Sequence, residues 1–306
     1  MNNRHAGPPV RGLGARVSNA RLRVGAFAAA GDAVTLTQGD ATTCGATAVL
    51  AARLLLGAAG EGGTAATAGA AGAASGPASG LTDPADASGT LPGLRLIRAL
   101  HAEQRRLQAR MNRRSGGPLG PLPWSRHLGS TPWAVARALG EELGPAGTAN
   151  HARTVYRVRW VREGGPRWPD DVLRMRRVLD AGLPAVMLVG GPLMRPRPGD
   201  GPGDAGPAGA LRRAAAGLTA LLVLSALPAL PRHYVLALPW RLVGRRDPGP
   251  GRAHVYEPSS GSVRVLDLLA PRDPAAPGPR ELGYWPRVLA LITPDPRERV
   301  RKSPPA

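Results

Sequence analysis

Apolar residues recur at helical spacing in four stretches of this chain, and in continuous or alternating runs in four others further on. Cys44 to Leu56 carries Val49, Ala52, Arg53 and Leu56 at helical spacing and meets Gly57, with Asp40, Thr42 and Thr43 placed to cap its start. Cys44 then falls in the first turn of a helix. Leu94 to Met111 is a second helix on the spacing of Leu94, Ile97, Arg98, Leu100 and Leu107. Pro132 to Leu143 is a third, with its proline suited to the first turn, and Val172 to Ala181 a fourth. After Gly182 and Pro184 the run Ala185-Val186-Met187-Leu188-Val189 reads as a buried strand. His233 to Leu238, Ala253 to Glu257 and Ser262 to Leu268 read as three more, the last two joined by the turn Pro258-Ser259-Ser260-Gly261. Helices followed by an antiparallel meander predict an α+β fold.

Two low-complexity stretches interrupt these elements, one of Ala, Gly, Thr and Ser over about 57–90 and one of Pro, Gly and Arg over about 191–210. Neither has the apolar periodicity that offsets the entropy of ordering a backbone, so both are expected as disordered insertions in a single domain over 31–293. Residues 1–30 are expected as a flexible N-terminal segment and 294–306 as a disordered tail. The apolar stretch Val24 to Ala30 is short for a signal sequence, which predicts a cytoplasmic chain. The run Gly217 to Leu230 is too short for a transmembrane helix and is broken by Pro228.

Composition changes this picture in two ways. Lys and Arg together number 40 against 21 Asp and Glu, for a net charge of +19, and Lys302 is the one lysine. The arginines are spread along the chain without a compact polybasic block interleaved with aromatics, so a peptide or protein substrate, and not nucleic acid, is the expected partner. The second point is the lone cysteine, Cys44, which excludes an internal disulfide and any multi-cysteine zinc site. No phosphate-binding glycine loop, zinc-helix motif or calcium loop is present, and nothing calls for a cofactor or a metal.

Thiol hydrolysis needs a sulfur nucleophile, an imidazole to take its proton, a polar group to orient the imidazole, and a donor for the oxygen that becomes negative. Gln38-Gly39-Asp40-Ala41-Thr42-Thr43-Cys44-Gly45 supplies a side-chain amide six residues before the sulfur and sets the sulfur at a helix N-terminus, where negative charge is favoured. Gly45 is expected to leave the backbone beside the thiol open to an incoming carbonyl. This Gln-x5-Cys-Gly entering an alanine-rich helix resembles the nucleophile motif of papain-like cysteine peptidases, and within them is most similar to the bacteriocin-processing peptidases that cut leader peptides and their stand-alone relatives. In that family a strand opening with the catalytic histidine follows, and then a strand ending in Asp-Pro-x-x-Gly. The matching segments are His233-Tyr234-Val235-Leu236-Ala237-Leu238 and Val255-Tyr256-Glu257-Pro258-Ser259-Ser260-Gly261.

The resemblance implies a papain-like domain with Cys44 as nucleophile, His233 as general base, Gln38 as oxyanion donor and Glu257 as the group that orients the imidazole. Glu257 stands where the family has Asp and is one methylene longer. Asp267 is the reserve acid. His254 alternates with Glu257 along its strand and is expected to point away from it. Trp124, Trp133, Trp240 and Trp285 could line a peptide cleft or serve as packing. Three functions compete: a cysteine peptidase or related acyl-transferring enzyme, a catalytically weak or inactive domain of that fold which binds peptides, and an arginine-rich binder of nucleic acid or a membrane surface.

Overall fold

The computed structural model describes residues 13–25, 33–65, 92–125, 127, 129–143, 154–191, 230–274 and 276–295. Its centre is an antiparallel sheet built from β1 (Gly14–Ser18), β2 (Arg21–Gly25), β3 (Val34–Thr35), β4 (Tyr156–Trp160), β5 (Ala185–Gly191), β6 (Leu230–Leu238), β7 (Arg252–Glu257), β8 (Ser262–Asp267) and β9 (Arg287–Pro294). The strands lie in the order β1-β2-β8-β7-β6-β5-β9-β4, and β3 pairs with β2. The helices are α1 (Cys44–Ala65), α2 (Pro92–Asn112), α3 (Pro132–Glu142), α4 (Trp168–Asp180) and the single turn α5 (Trp240–Val243). The fold is α+β.

One face of the sheet packs on α1, α2 and α3, through Leu22, Tyr234, Leu236, Tyr256, Ala290 and Ile292 among others. The other face, with Met187, Val235, Ala237 and Val255, packs on Trp168, Val172, Met175 and Leu179 of α4. α1 is the central rod: from Cys44 to Leu55 every residue but Arg53 is buried, so it is apolar all round and not amphipathic. Its many alanines let the neighbouring helices approach closely. Each Leu or Val it buries is worth about 1.5–3 kcal/mol relative to exposure. Arg53, the exception, holds Glu103 of α2 at 3.1 Å and Glu142 of α3 at 2.8 Å, which fastens three helices at one guanidinium.

The four predicted helices and four predicted strands are all present, with shifted ends, and four expectations need correction. Residues 14–25 are not a flexible arm: they form the hairpin β1–β2 at one edge of the sheet, and Leu22 and Val24 are buried in the core. α1 does not stop at Gly57 but runs to Ala65, since a glycine weakens a helix by only about 1 kcal/mol without ending it. The rest of the first insertion, residues 66–90, lies outside the described residues, as do 192–210 of the second. The tail begins later than expected, because β9 extends through Pro294 and the Asp295 carboxylate pairs with Arg157. The sheet is also not confined to the C-terminal half, since β1 to β4 precede or separate the helices. Among the described residues no helix is long and apolar enough to cross a membrane.

Candidate active site

Three of the four candidate side chains meet at one point. Cys44 opens α1 and is 4 % exposed, in a helix that lies over β6. His233 is in β6 opposite Val189 of β5, and the register slips there, so that Gly190 faces Pro231 and Arg232 is the extra residue. A bulge re-aims the side chains beside it, and this one falls at His233. Glu257 closes β7. In the ladder Leu236 faces Tyr256, and continuing that register sets Glu257 opposite Val235, diagonal to His233 on the same face of the sheet. The diagonal is a long reach for a carboxylate. The additional methylene of glutamate helps to span it, and His233 Nε2 lies 2.8 Å from Glu257 Oε1.

With Nε2 engaged by Glu257, Nδ1 is the ring nitrogen left for the sulfur. Burial of the ring works against its charged form. Hydrogen bonding to Cys44 and to Glu257, together with the charges of both, outweighs burial and pushes His233 up to about 9. The carboxylate is fixed more firmly still. Burial alone would raise it, but it accepts from His233, from the Ser259 N–H at 2.7 Å and hydroxyl at 2.5 Å, and from the Ser260 N–H at 2.8 Å and hydroxyl at 2.7 Å. These donors hold Glu257 down at about 2. The arrangement is an imidazole held between the Cys44 sulfur and the Glu257 carboxylate in a site largely closed to solvent.

The opposite shifts set a pH window. Glu257 contributes stability that is whole above its ordinary 4.5 and is lost as pH falls through about 2. His233 contributes stability that is whole below its ordinary 6.5 and is lost as pH rises through about 9. The thermal midpoint is therefore expected to hold between pH 4.5 and 6.5 and to drop between 6.5 and 9. Calorimetry across that range checks it, with His233→Ala expected to lack the alkaline drop.

The acid-turn-glycine element explains itself in three dimensions. Gly261 N–H donates to the Glu257 carbonyl at 2.9 Å and Gly261 sits at φ +66. A Cβ there would stand 2.6 Å from the Leu36 carbonyl oxygen, so only glycine lets the turn lie against the segment that leads to Gln38. That segment is tied to the acid strand at both ends, by Tyr256 Oη donating to Leu36 O at 3.0 Å and Gln38 N–H donating to Pro258 O at 2.8 Å.

Gln38 thus lies next to the Glu257 turn through its backbone. Its side-chain amide makes no hydrogen bond to Cys44 or His233, and Oε1 is buried without a partner among the described residues. The Cys44 N–H likewise has no acceptor among them. Gly45 departs from expectation: a Cβ on it would meet the Tyr234 ring and Val135 at 3.1 Å, so it lets the helix seat on the core and does not open the backbone to a ligand. The capping expectation is also revised, because Asp40 accepts from the N–H and hydroxyl of Thr42, and the Thr43 hydroxyl turns back to Asp40.

No family model matches this chain, and no curated protein or solved structure matches it. Its chemistry is read from its own side chains.

The other candidates are occupied elsewhere. Asp267 binds Arg252 at 3.1 Å and caps the N–H groups of Leu269 and Ala270. His254 is buried with Nε2 at 3.2 Å from the Arg246 carbonyl. Trp133 packs edge-on to Trp160 and over Gly117, Trp240 lies under Arg241, and the Trp124 indole N–H is buried. Trp285 packs against Gly191. Among the described residues no cluster of three His, Cys, Asp or Glu could hold a metal ion.

Sequence reasoning missed Gly283, at φ +63 in the turn after Arg280–Leu282, although its backbone covers the site. A Cβ there would stand 2.9 Å from His233 Cδ2 and 3.7 Å from Glu257 Oε1. Gly283→Ala is expected to add backbone strain of about 1–3 kcal/mol and to push the ring off line, with a loss of about tenfold or more in turnover. Steady-state kinetics on the folded variant checks this. The hydroxyls of Ser259 and Ser260 were also missed, although their place in the turn two and three residues after the acid is a signal.

Proposed function

We propose that this protein is a papain-like cysteine peptidase that acts through an acyl-thioester on Cys44. The observation that carries the reading is the His233–Glu257 contact of 2.8 Å beside Cys44, joining residues far apart in sequence in the order that thiol catalysis requires. The Cys44 sulfur attacks the scissile carbonyl. The oxygen that becomes negative is met by the Cys44 N–H, which has no acceptor among the described residues, and by the Gln38 side-chain amide. His233 gives its Nδ1 proton to the leaving amine and then takes one from the water that releases the acid.

The longer acid also speaks to the rival reading of an inactive domain. That reading drew on the longer glutamate in place of aspartate and on the long insertions, and the serine-lined turn together with the diagonal register supports a glutamate that reaches the ring. A cytoplasmic peptide or protein is the substrate class proposed. The test is to mix the protein with an unstructured peptide pool, quench in acid within seconds and weigh the intact chain. A mass increment mapped to Cys44, with peptide cleavage that Cys44→Ala abolishes, is expected. Binding of peptides with no adduct and no cleavage would sink the hydrolase reading.

A further inference from the structure

α2 presents two buried glutamines one helical turn apart to the loop that carries the nucleophile. Gln104 is wholly buried, and both ends of its amide are used: Oε1 accepts from the Gly39 N–H at 2.8 Å, and Nε2 donates to the Thr37 carbonyl at 2.8 Å. Those partners are the residues immediately before and after Gln38. Four residues on, Gln108 Nε2 donates to the Thr42 carbonyl at 2.9 Å and to the Thr42 hydroxyl at 3.1 Å. A polar side chain on the inward face of a helix costs free energy unless it is bonded, so helix packing alone gives no reason for a glutamine at position 104. What it does is bracket the backbone of one residue.

Gln38 is held from three directions as a result. Its own N–H is fixed by Pro258, and the peptide groups on either side are fixed by Gln104. Of its side chain, by contrast, Oε1 is buried without a partner among the described residues. A rigid backbone under that amide is the arrangement that preorganises a donor for charge that develops only during reaction. We propose that Gln104 is the positioning residue for the Gln38 amide, an assignment that rests on the hydrolase reading above. A neutral amide is required for the task. Gln104→Glu keeps an acceptor for Gly39 but turns a carboxylate toward the Thr37 carbonyl, and Gln104→Leu removes both bonds at similar volume.

Three readouts test this on the full chain. In Gln104→Leu, kcat on a peptide substrate is expected to fall about 10- to 100-fold with KM within about twofold. Iodoacetamide alkylation of Cys44, which develops no oxyanion, is expected to stay within about twofold of wild type. Exchange of the Gly39 amide proton, followed by NMR, is expected to quicken at least about tenfold in a variant that remains folded. Gln104→Glu should fall between wild type and Gln104→Leu in turnover, and Gln38→Ala combined with Gln104→Leu should be no slower than Gln38→Ala alone.

Alkylation that falls in step with kcat, unchanged Gly39 exchange, or losses that multiply in the double variant would each overturn the assignment. Wild type that cleaves peptides while Gln104→Leu matches it refutes the clamp and spares the hydrolase. Wild type with no turnover, but with Gly39 exchange that still quickens in Gln104→Leu, refutes the hydrolase reading and with it the oxyanion role, leaving a structural bond alone.

Discussion

His233→Ala is expected to lower peptide turnover by at least about 10³-fold while leaving the chain folded. Two losses combine in that number. The leaving amine is no longer protonated as it departs, and the cation that faces the Cys44 sulfur is gone. Substrate affinity should change much less, because the ring orients the reaction and does not grip the remote parts of a peptide. Single-turnover kinetics with excess enzyme separates the two: the acylation rate should carry nearly the whole effect. A variant within about tenfold of wild type would mean that another base serves, and His254, bonded to a backbone carbonyl away from the sulfur, is poorly placed for it.

The second large effect falls on stability. Glu257 is 2 % exposed and accepts five hydrogen bonds, so Glu257→Leu strands the His233 ring N–H and the N–H groups of the turn without their acceptor. Removing one partner of a buried, hydrogen-bonded pair costs about 3–5 kcal/mol, and Ser259 is exposed enough to recover water, so about 3 kcal/mol is expected in denaturant unfolding. Turnover should fall with it, because an unoriented ring presents Nδ1 to the sulfur only part of the time. Glu257→Gln keeps an oxygen for one side of the network and should lie between. A cost below about 1 kcal/mol for Glu257→Leu would show that the carboxylate does not anchor the turn.

The site was more legible than the frame that holds it. Cys44, His233 and Glu257 could be singled out because they stand in the order of a family motif, and the acid before a tight turn is where the sequence put it; His233, however, is the fourth residue of β6 and not its first, and the helix start at Cys44 is not capped by Asp40 as expected. β4 was passed over although Tyr156, Val158 and Trp160 alternate with Arg157 and Arg159, since arginines on an edge strand look like solvent-facing loop. β1 and β2 were hidden for the same reason by Arg16, Arg21 and Arg23. β9 sits between Pro286 and the closing Pro294, and prolines at both ends mask a strand. Gln104 and Gln108 could not be read at all, because a buried polar residue on a helix leaves no trace in hydrophobic periodicity; only the loop packed on it gives it meaning.

The most direct test of the central claim is the rate of Cys44 alkylation by iodoacetamide measured from pH 5 to 9, on wild type and on His233→Ala. With His233 held charged up to about 9 beside the sulfur, wild type should react at pH 6 at a rate close to that at pH 8, whereas His233→Ala should lose that plateau and react slowly until well into the alkaline range. Two superimposable profiles, both rising only near the ordinary thiol value of about 8.5, would show that sulfur and imidazole do not act as a pair.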